Sequence, residues 1–314
     1  MSTPARSVVA VVGPTGSGKS ELAIELCLRF GGEVVSCDAL QVYRELHIGT
    51  AKLPRESRRG VPHHLLDVAE PDAEFSAADY VERASEAIAA IATAGQLPVV
   101  AGGTGLYLRA LRRGLFVGPG RSEALRARLA KIAERRGHGS LHRLLRRWDP
   151  ESAERVHPND VVRVVRALEV RIQSGRPMSE LMTERRSPLA GFHVILVGLE
   201  PERSELESRI EARVRSMIDQ GLVSEVRRLR ELYGEHAPAF KAIGYREVVA
   251  ALARGDVLEE TLIEEVQRAT RRYAKRQQTW FRSEPASLVL DARDPDLATK
   301  AVSAIRAFLA AYAT

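Results

Sequence analysis

Long apolar runs are missing from this chain: none of its 314 residues belongs to a stretch approaching the roughly 20 that a bilayer span requires, so no membrane segment is expected. Cysteine is nearly missing too. Cys27 and Cys37 are the only two, too few for a disulfide framework and without metal-ligand spacing, which suits a reducing cytosol. The eight histidines show no ligand spacing either, and the adjacent pair His63-His64 is read as structural because neighbouring side chains diverge. No internal repeat or low-complexity linker is visible. The first strand is expected after only seven residues, which leaves no room for a cleavable signal peptide, so a cytoplasmic location is expected. Acidic charge falls short of basic charge, 41 residues against 47, for a net charge of +6 and a pI near 9.5. That excess favours an anionic partner without choosing between nucleic acid and nucleotide. With 45% hydrophobic and 28% charged residues, the composition is that of a soluble globular protein of about two domains.

What is present begins with Val-Val-Ala-Val-Val at 8–12, a β-branched strand running into Gly13-Pro14-Thr15-Gly16-Ser17-Gly18-Lys19-Ser20. This is the G-x-x-x-x-G-K-S pattern. Its glycines let backbone N–H groups close around a phosphate, Lys19 adds a positive charge and the Ser20 hydroxyl is placed to hold Mg²⁺. The amphipathic helix expected over 20–30 directs its positive dipole end to the same spot. A phosphate grip alone does not name a reaction.

Alternation of strand and helix predicts a parallel sheet, with strands at 8–12, 33–37, 64–68 and 97–101 and helices at 20–30, 76–94 and 105–113. Ser76 is a fair N-cap, with Asp79 as an imperfect capping-box partner. From 122 to about 187 the pattern is helical and Arg-rich with no convincing strand. Strands return at 193–199 and 287–290, the first followed by a long helix from about Glu202 and the second by a terminal helix. The expected fold is therefore α/β: a P-loop NTPase-like parallel sheet over 1–114 and 188–314, with an all-helical insertion domain at 115–187. Two stretches are strongly basic. Residues 121–147 hold Arg121, Arg126, Arg128, Lys131, Arg135, Arg136, Arg143, Arg146 and Arg147 against only Glu123 and Glu134. Residues 268–282 hold Arg268, Arg271, Arg272, Lys275, Arg276 and Arg282 with no acid, interleaved with Tyr273, Trp280 and Phe281. Such runs are often only solvated helix faces, but charge of one sign with aromatics able to stack bases is what an RNA surface needs.

Asp38 follows the second strand, where ligands of open α/β sheets bind, and could be a helix cap, a Mg²⁺ ligand through water or a general base. Gly102-Gly103-Thr104 ends the 97–101 strand in the same manner, so that three strand ends face one crevice. No strong apolar strand ends in the Asp or Glu with which typical P-loop ATPases hold Mg²⁺; Leu65-Leu66-Asp67 is the best candidate and a poor one, which counts against an ordinary ATPase. Arg213 reads either as part of a Glu/Arg solvent face, with Glu211 and Arg215 paired at i, i+4, or as a phosphate clamp.

Taken together the motifs resemble the tRNA isopentenyltransferase family, the bacterial tRNA dimethylallyltransferases. The resemblance runs in order from about 8 to 282: the 13–20 loop, Asp38-Ala39-Leu40-Gln41-Val42-Tyr43, Ile48-Gly49-Thr50-Ala51-Lys52, Pro62-His63-His64-Leu65-Leu66-Asp67 and Gly102-Gly103-Thr104-Gly105-Leu106-Tyr107. It continues through His157-Pro158-Asn159-Asp160 with Arg163 and Arg166-Ala167-Leu168-Glu169, then Gly244-Tyr245-Arg246 and Arg272-Tyr273-Ala274-Lys275-Arg276-Gln277-Gln278-Thr279-Trp280. Ala39 departs from the usual Ser of the family.

The resemblance implies transfer of a dimethylallyl group from dimethylallyl diphosphate to N6 of the adenosine on the 3′ side of the tRNA anticodon, by a cytoplasmic enzyme expected to be monomeric. Asp38 would be the base and Thr104 would stand beside the reacting centre. Gly13, Pro14, Thr15, Gly16, Ser17, Gly18, Lys19 and Ser20, with Mg²⁺ and Arg213, would hold the diphosphate. The resemblance places tRNA contacts at Asp38, Ala39, Leu40 and Gln41, at Thr104 and at Arg126. Further contacts fall at Val162, Arg163, Val164, Val165 and Arg166, and at Lys241, Ala242, Ile243, Gly244, Tyr245 and Arg246. The helical insertion would grip the anticodon stem. The alternative from another class is a P-loop small-molecule kinase.

Overall fold

The computed structural model describes residues 6–137, 139–255 and 258–312. It divides into two compact units, residues 1–111 with 189–314 and residues 112–188.

The first unit is built on a six-stranded sheet of β1 (Arg6–Val12), β2 (Gly32–Ser36), β3 (His63–His64), β4 (Leu97–Gly102), β5 (Phe192–Glu200) and β6 (Leu288–Asp291), in the order β3-β2-β4-β1-β5-β6. Every pairing is parallel. Parallel strands covered on both faces read as continuous apolar runs, and β1 is buried from Ser7 to Val12 as Val-Val-Ala-Val-Val requires. One face packs on the Lys19–Phe30 and Leu297–Ala311 helices through Leu22, Ile24, Leu26, Ala301 and Ile305. The other packs on the Ala77–Thr93 and Gly105–Arg113 helices, where Tyr80 stacks on Tyr107 with ring centroids 4.2 Å apart. At Ser76 the capping box is complete: its hydroxyl accepts from the Asp79 N–H while the Asp79 carboxylate accepts from the Ser76 N–H at 2.7 Å.

The strand expected over 64–68 is shorter, two residues, because Leu65 and Asp67 take φ of 61° and 58° and turn the chain out of extended geometry. A third apolar cluster lies beyond the sheet. It joins the Arg203–Asp219, Leu222–Tyr233, Tyr245–Arg254 and Glu259–Arg282 helices to Val42, Tyr43 and Leu46 of the segment after β2.

The second unit is helical, with elements Glu123–Arg136, Gly139–Trp148, Pro150–Arg155, Val161–Ser174 and Met178–Thr183 around Leu129, Leu141, Leu145, Val164 and Leu168. Among the described residues no helix is long and apolar enough to cross a membrane.

Candidate active site

β2, β4 and β1 are consecutive in the sheet, so their carboxyl ends stand side by side at strand spacing, about 5 Å. Each carries one part of the site. After β1 the chain wraps through 13–18, with Gly18 at φ 84°, a left-handed conformation that suits glycine, and enters its helix at Lys19. The Lys19 ammonium folds back and donates to the Pro14 carbonyl at 3.0 Å. After β2, Asp38 accepts the Leu40 N–H on Oδ1 at 2.9 Å, a turn that fixes its carboxylate by its own backbone. After β4, Thr104 braces that turn from the other side. Its N–H donates to the Cys37 carbonyl at 3.1 Å and its hydroxyl oxygen accepts from the Ala39 N–H at 2.9 Å.

These parts line one cavity of about 450 Å³, which includes Thr15, Lys19, Ser20, Asp38, Thr104 and Arg213. Val214, Met217 and Val266 from the helical layer add apolar wall to the same space. A site of this kind can hold an anion and an apolar chain together.

The electrostatics are unusual for so small a space. Burial lowers the Lys19 pKa from 10.5 to about 8; the Asp38 charge opposes that shift and Arg213 adds to it. Arg213 is likewise lowered by burial and supported by Asp38. Its guanidinium donates to the Thr50 carbonyl at 3.3 Å, and among the described residues neither cation has a carboxylate within 4 Å. Two desolvated cations sharing one more distant carboxylate are poorly compensated, and a bound anion would relieve both. Of the two readings of Arg213, the structure supports the cavity and not the solvent face. Glu211 and Arg215 do not pair with each other; they reach Arg271 and Glu260 on the Glu259–Arg282 helix, each at 3.6 Å.

Sequence reasoning read Tyr273 only as an aromatic able to stack bases and gave Gln277 no role; both project into the site from that same helix at i and i+4, with Arg276 between them. That spacing was the available signal, hidden in a stretch that reads first as basic. Burial and the nearby Asp38 raise the Tyr273 phenol to about 12, against a hydrogen bond with Thr104 that lowers it.

Among the described residues no group of three or more His, Cys, Asp or Glu is arranged to hold a metal ion. The oxygen donors at the cavity include the Ser20 hydroxyl at the end of the phosphate loop and the Asp38 carboxylate. This set fits Mg²⁺, which keeps several waters and binds through one or two protein oxygens together with substrate phosphates. Asp67, the weak strand-end candidate, is occupied elsewhere, accepting from the buried Lys52 ammonium at 2.6 Å.

A sequence profile described as IPP transferase matches residues 41–284. The chain belongs to the IPP transferase family. It is 47% identical over 305 residues to a tRNA dimethylallyltransferase of Solibacter usitatus, covering 96% of this chain and 99% of the relative. To one of Koribacter versatilis it is 48% identical over 275 residues, 88% of this chain and 89% of the relative. Among solved structures, the tRNA isopentenylpyrophosphate transferase of Bacillus halodurans superposes with a TM-score of 0.71 at 37% identity, covering 98% of this chain and 96% of that one. A eukaryotic dimethylallyltransferase captured acting on tRNA superposes with a TM-score of 0.83 at 28% identity, covering 98% and 80%. The fold is accordingly the P-loop NTPase-like α/β fold of tRNA isopentenyltransferases.

In this IPP transferase the residues expected to touch RNA divide into two groups. Asp38, Ala39, Leu40, Gln41, Thr104, Lys241, Ala242, Ile243 and Arg246 line the cavity. Tyr245 does not: it is fully buried, and its hydroxyl donates to Glu225 at 2.5 Å, so its part is to support the 47–50 segment, whose His47 and Ile48 N–H groups bind the same carboxylate. Gly244 donates its N–H to Glu247 at 2.8 Å and starts the Tyr245–Arg254 helix. Ser17, expected on the diphosphate, is buried within the loop and its hydroxyl has no partner.

Within the helical unit, of the 162–166 segment expected to contact RNA, Val164 and Val165 belong to the core, while Val162 and Arg163 are exposed. Arg126 and Arg166 both converge on the buried Glu169. Arg126 donates two hydrogen bonds at 3.0 Å and Arg166 one at 2.7 Å, and the Ser122 N–H adds a fourth at 2.8 Å. Burial alone would raise the Glu169 carboxyl, but these donors outweigh it and hold it down at about 2. Arg126 is thus a structural clamp whose charge is spent inside the unit.

Proposed function

We propose that the protein is a tRNA dimethylallyltransferase that moves a dimethylallyl group from dimethylallyl diphosphate to N6 of the adenosine on the 3′ side of the anticodon. The observation that carries this reading is the single cavity in which a phosphate loop, a buried arginine and Asp38 meet an apolar wall. An exocyclic amine is a feeble nucleophile. The site must therefore position it, take its proton as bonding proceeds and stabilise the charge that collects on the leaving diphosphate. The N6–C1 bond forms while the C1–O bond to diphosphate breaks. The amine proton passes to Asp38, and the electron pair leaves with diphosphate, held by Lys19, Arg213 and the N–H groups of 13–20. Thr104 holds the Asp38 turn in place. Ser20 would hold Mg²⁺, which when bound supplies further neutralisation of diphosphate oxygens.

An adenine stacked in an anticodon loop cannot reach a cavity of this kind, so the base is flipped out to enter it. The exposed cations of the helical unit grip the anticodon stem by neutralising phosphates. The working unit is a monomer, in the cytoplasm where its tRNA is found.

The test is incubation with labelled dimethylallyl diphosphate, and separately with labelled ATP, each with unmodified tRNA. Label should enter tRNA from the prenyl donor alone. ATP turnover with a small acceptor and unlabelled tRNA would replace this reading with the kinase.

A further inference from the structure

Two of the loops that form the cavity are joined by one side chain that no part of the mechanism above uses. Gln277 is buried. Its Oε1 accepts the N–H of Thr15, inside the phosphate loop, at 2.9 Å, and its Nε2 donates to the carbonyl of Gly103, beside Thr104, at 2.8 Å. One amide therefore spans the gap between the β1 loop and the β4 loop, using its donor on one and its acceptor on the other. The fit leaves no slack: a Cβ on Gly103 would lie 2.2 Å from Nε2. Thr104 passes the restraint on to the Ala39 N–H and the Cys37 carbonyl, which flank Asp38.

Resting on the functional reading above, we propose that Gln277 is a positioning residue that sets the distance between the diphosphate cradle and the base that deprotonates the amine. The leaving group and the proton acceptor must act on opposite sides of one reacting carbon–nitrogen pair, and small misplacement there costs rate out of proportion to binding. The bridge needs a donor and an acceptor on one side chain, as an amide has. A carboxylate could still accept from Thr15, but its second oxygen would face the Gly103 carbonyl with no proton to give; once protonated, the acid donates as the amide does. Burial against a carbonyl favours that neutral form.

The experiment compares wild type with Gln277→Glu and Gln277→Met in labelled dimethylallyl transfer to tRNA, with kcat and KM resolved for each substrate across a pH series. Tight binding of tRNA and the melting temperature are measured alongside. For Gln277→Glu the expected result is a loss of about 10²-fold in kcat near pH 8 with little change in the KM for tRNA, and a variant-to-wild-type kcat ratio that climbs as pH is lowered. Gln277→Met should lose as much with a ratio flat in pH. A Glu variant equal to wild type, a loss confined to KM, or a Glu ratio that does not move with pH overturns the proposal. Should the Met variant fail to fold, the Glu ratio decides alone. Wild type that leaves tRNA unlabelled would instead overturn the functional reading, so the two failures are separable.

Discussion

Buried charge is treated in opposite ways in the two units. In the sheet unit, Lys19 and Arg213 are desolvated with, among the described residues, only backbone carbonyls as close partners, and the nearby anion, Asp38, supports them from beyond ion-pair distance. In the helical unit, Glu169 receives four donated hydrogen bonds. The buried Asp149 likewise accepts from the N–H and hydroxyl of both Ser152 and Ser179, tying the Pro150–Arg155 helix to the start of Met178–Thr183. A buried charge that is fully partnered is architecture; one left waiting is a binding site. The contrast says which substitutions should cost rate and which should cost stability.

The largest effect is expected at Asp38. Asp38→Ala removes the proton acceptor while leaving the cations in place, so kcat for prenyl transfer should fall by roughly 10² to 10⁴ with tRNA affinity nearly intact. Single-turnover kinetics beside a tRNA-binding titration measure both, and unchanged turnover would take Asp38 out of the mechanism.

Next comes the partnered charge. Glu169→Ala strands Arg126 and Arg166 and the Ser122 N–H, and breaking a buried ion pair in this way costs about 3–5 kcal/mol. Urea unfolding followed in the isolated variant should show that loss, and a cost under about 1 kcal/mol would mean that the cluster is not a clamp. The same cluster has an acid limit. Its folded carboxyl lies at about 2 against an ordinary 4.5, so its contribution is complete above pH 4.5 and is lost as pH falls toward 2.

How much of this was visible in the chain follows from the range of the interactions. The phosphate loop is local: an apolar strand, a glycine turn and a helix start within thirteen residues of one another, and the strand order β2-β4-β1 then explains why Asp38 and Thr104 arrive beside it. The residues alone left Arg213 open between a solvent face and a phosphate clamp, and only the resemblance gave Arg126 an RNA contact, because whether an arginine meets a cavity or a buried glutamate depends on helices packed far away in sequence. Gln277 is the extreme case, 262 residues from the Thr15 it holds. The expected pair of Glu211 with Arg215 failed for the same reason, since a neighbouring helix offered each a partner. Trp280, expected among base-stacking side chains, packs beneath Arg109 at 4.9 Å and against Gly105 and Phe281.

A smaller effect sharpens the waiting-charge side of the comparison. Lys19 loses its proton as pH rises through about 8 in the free enzyme, more than two units earlier than an exposed lysine. A deprotonated Lys19 offers diphosphate no charge, so kcat/KM for dimethylallyl diphosphate should decline as pH rises through that value. Lys19→Arg, weaker throughout, should stay level over the same range because a guanidinium keeps its proton. A wild-type profile that holds level well above pH 8 would show that burial does not depress the ammonium.

The smallest effect concerns the exposed cations of the helical unit. Arg143, Arg146 and Arg147 lie on the Gly139–Trp148 helix with their side chains in solvent, and among the described residues no carboxylate stands within 4 Å of them. Arg126, by contrast, gives its charge to Glu169. If the exposed set neutralises phosphates, Arg146→Ala should weaken tRNA binding modestly and reduce the slope of log affinity against log salt by about 1 per contact removed. Arg126→Lys, which keeps the charge and loosens the clamp, should lower the melting temperature and leave that slope alone. Reversal of the two outcomes, a flattened slope from Arg126 and none from Arg146, would move the RNA path onto the residue that this fold assigns to its own interior.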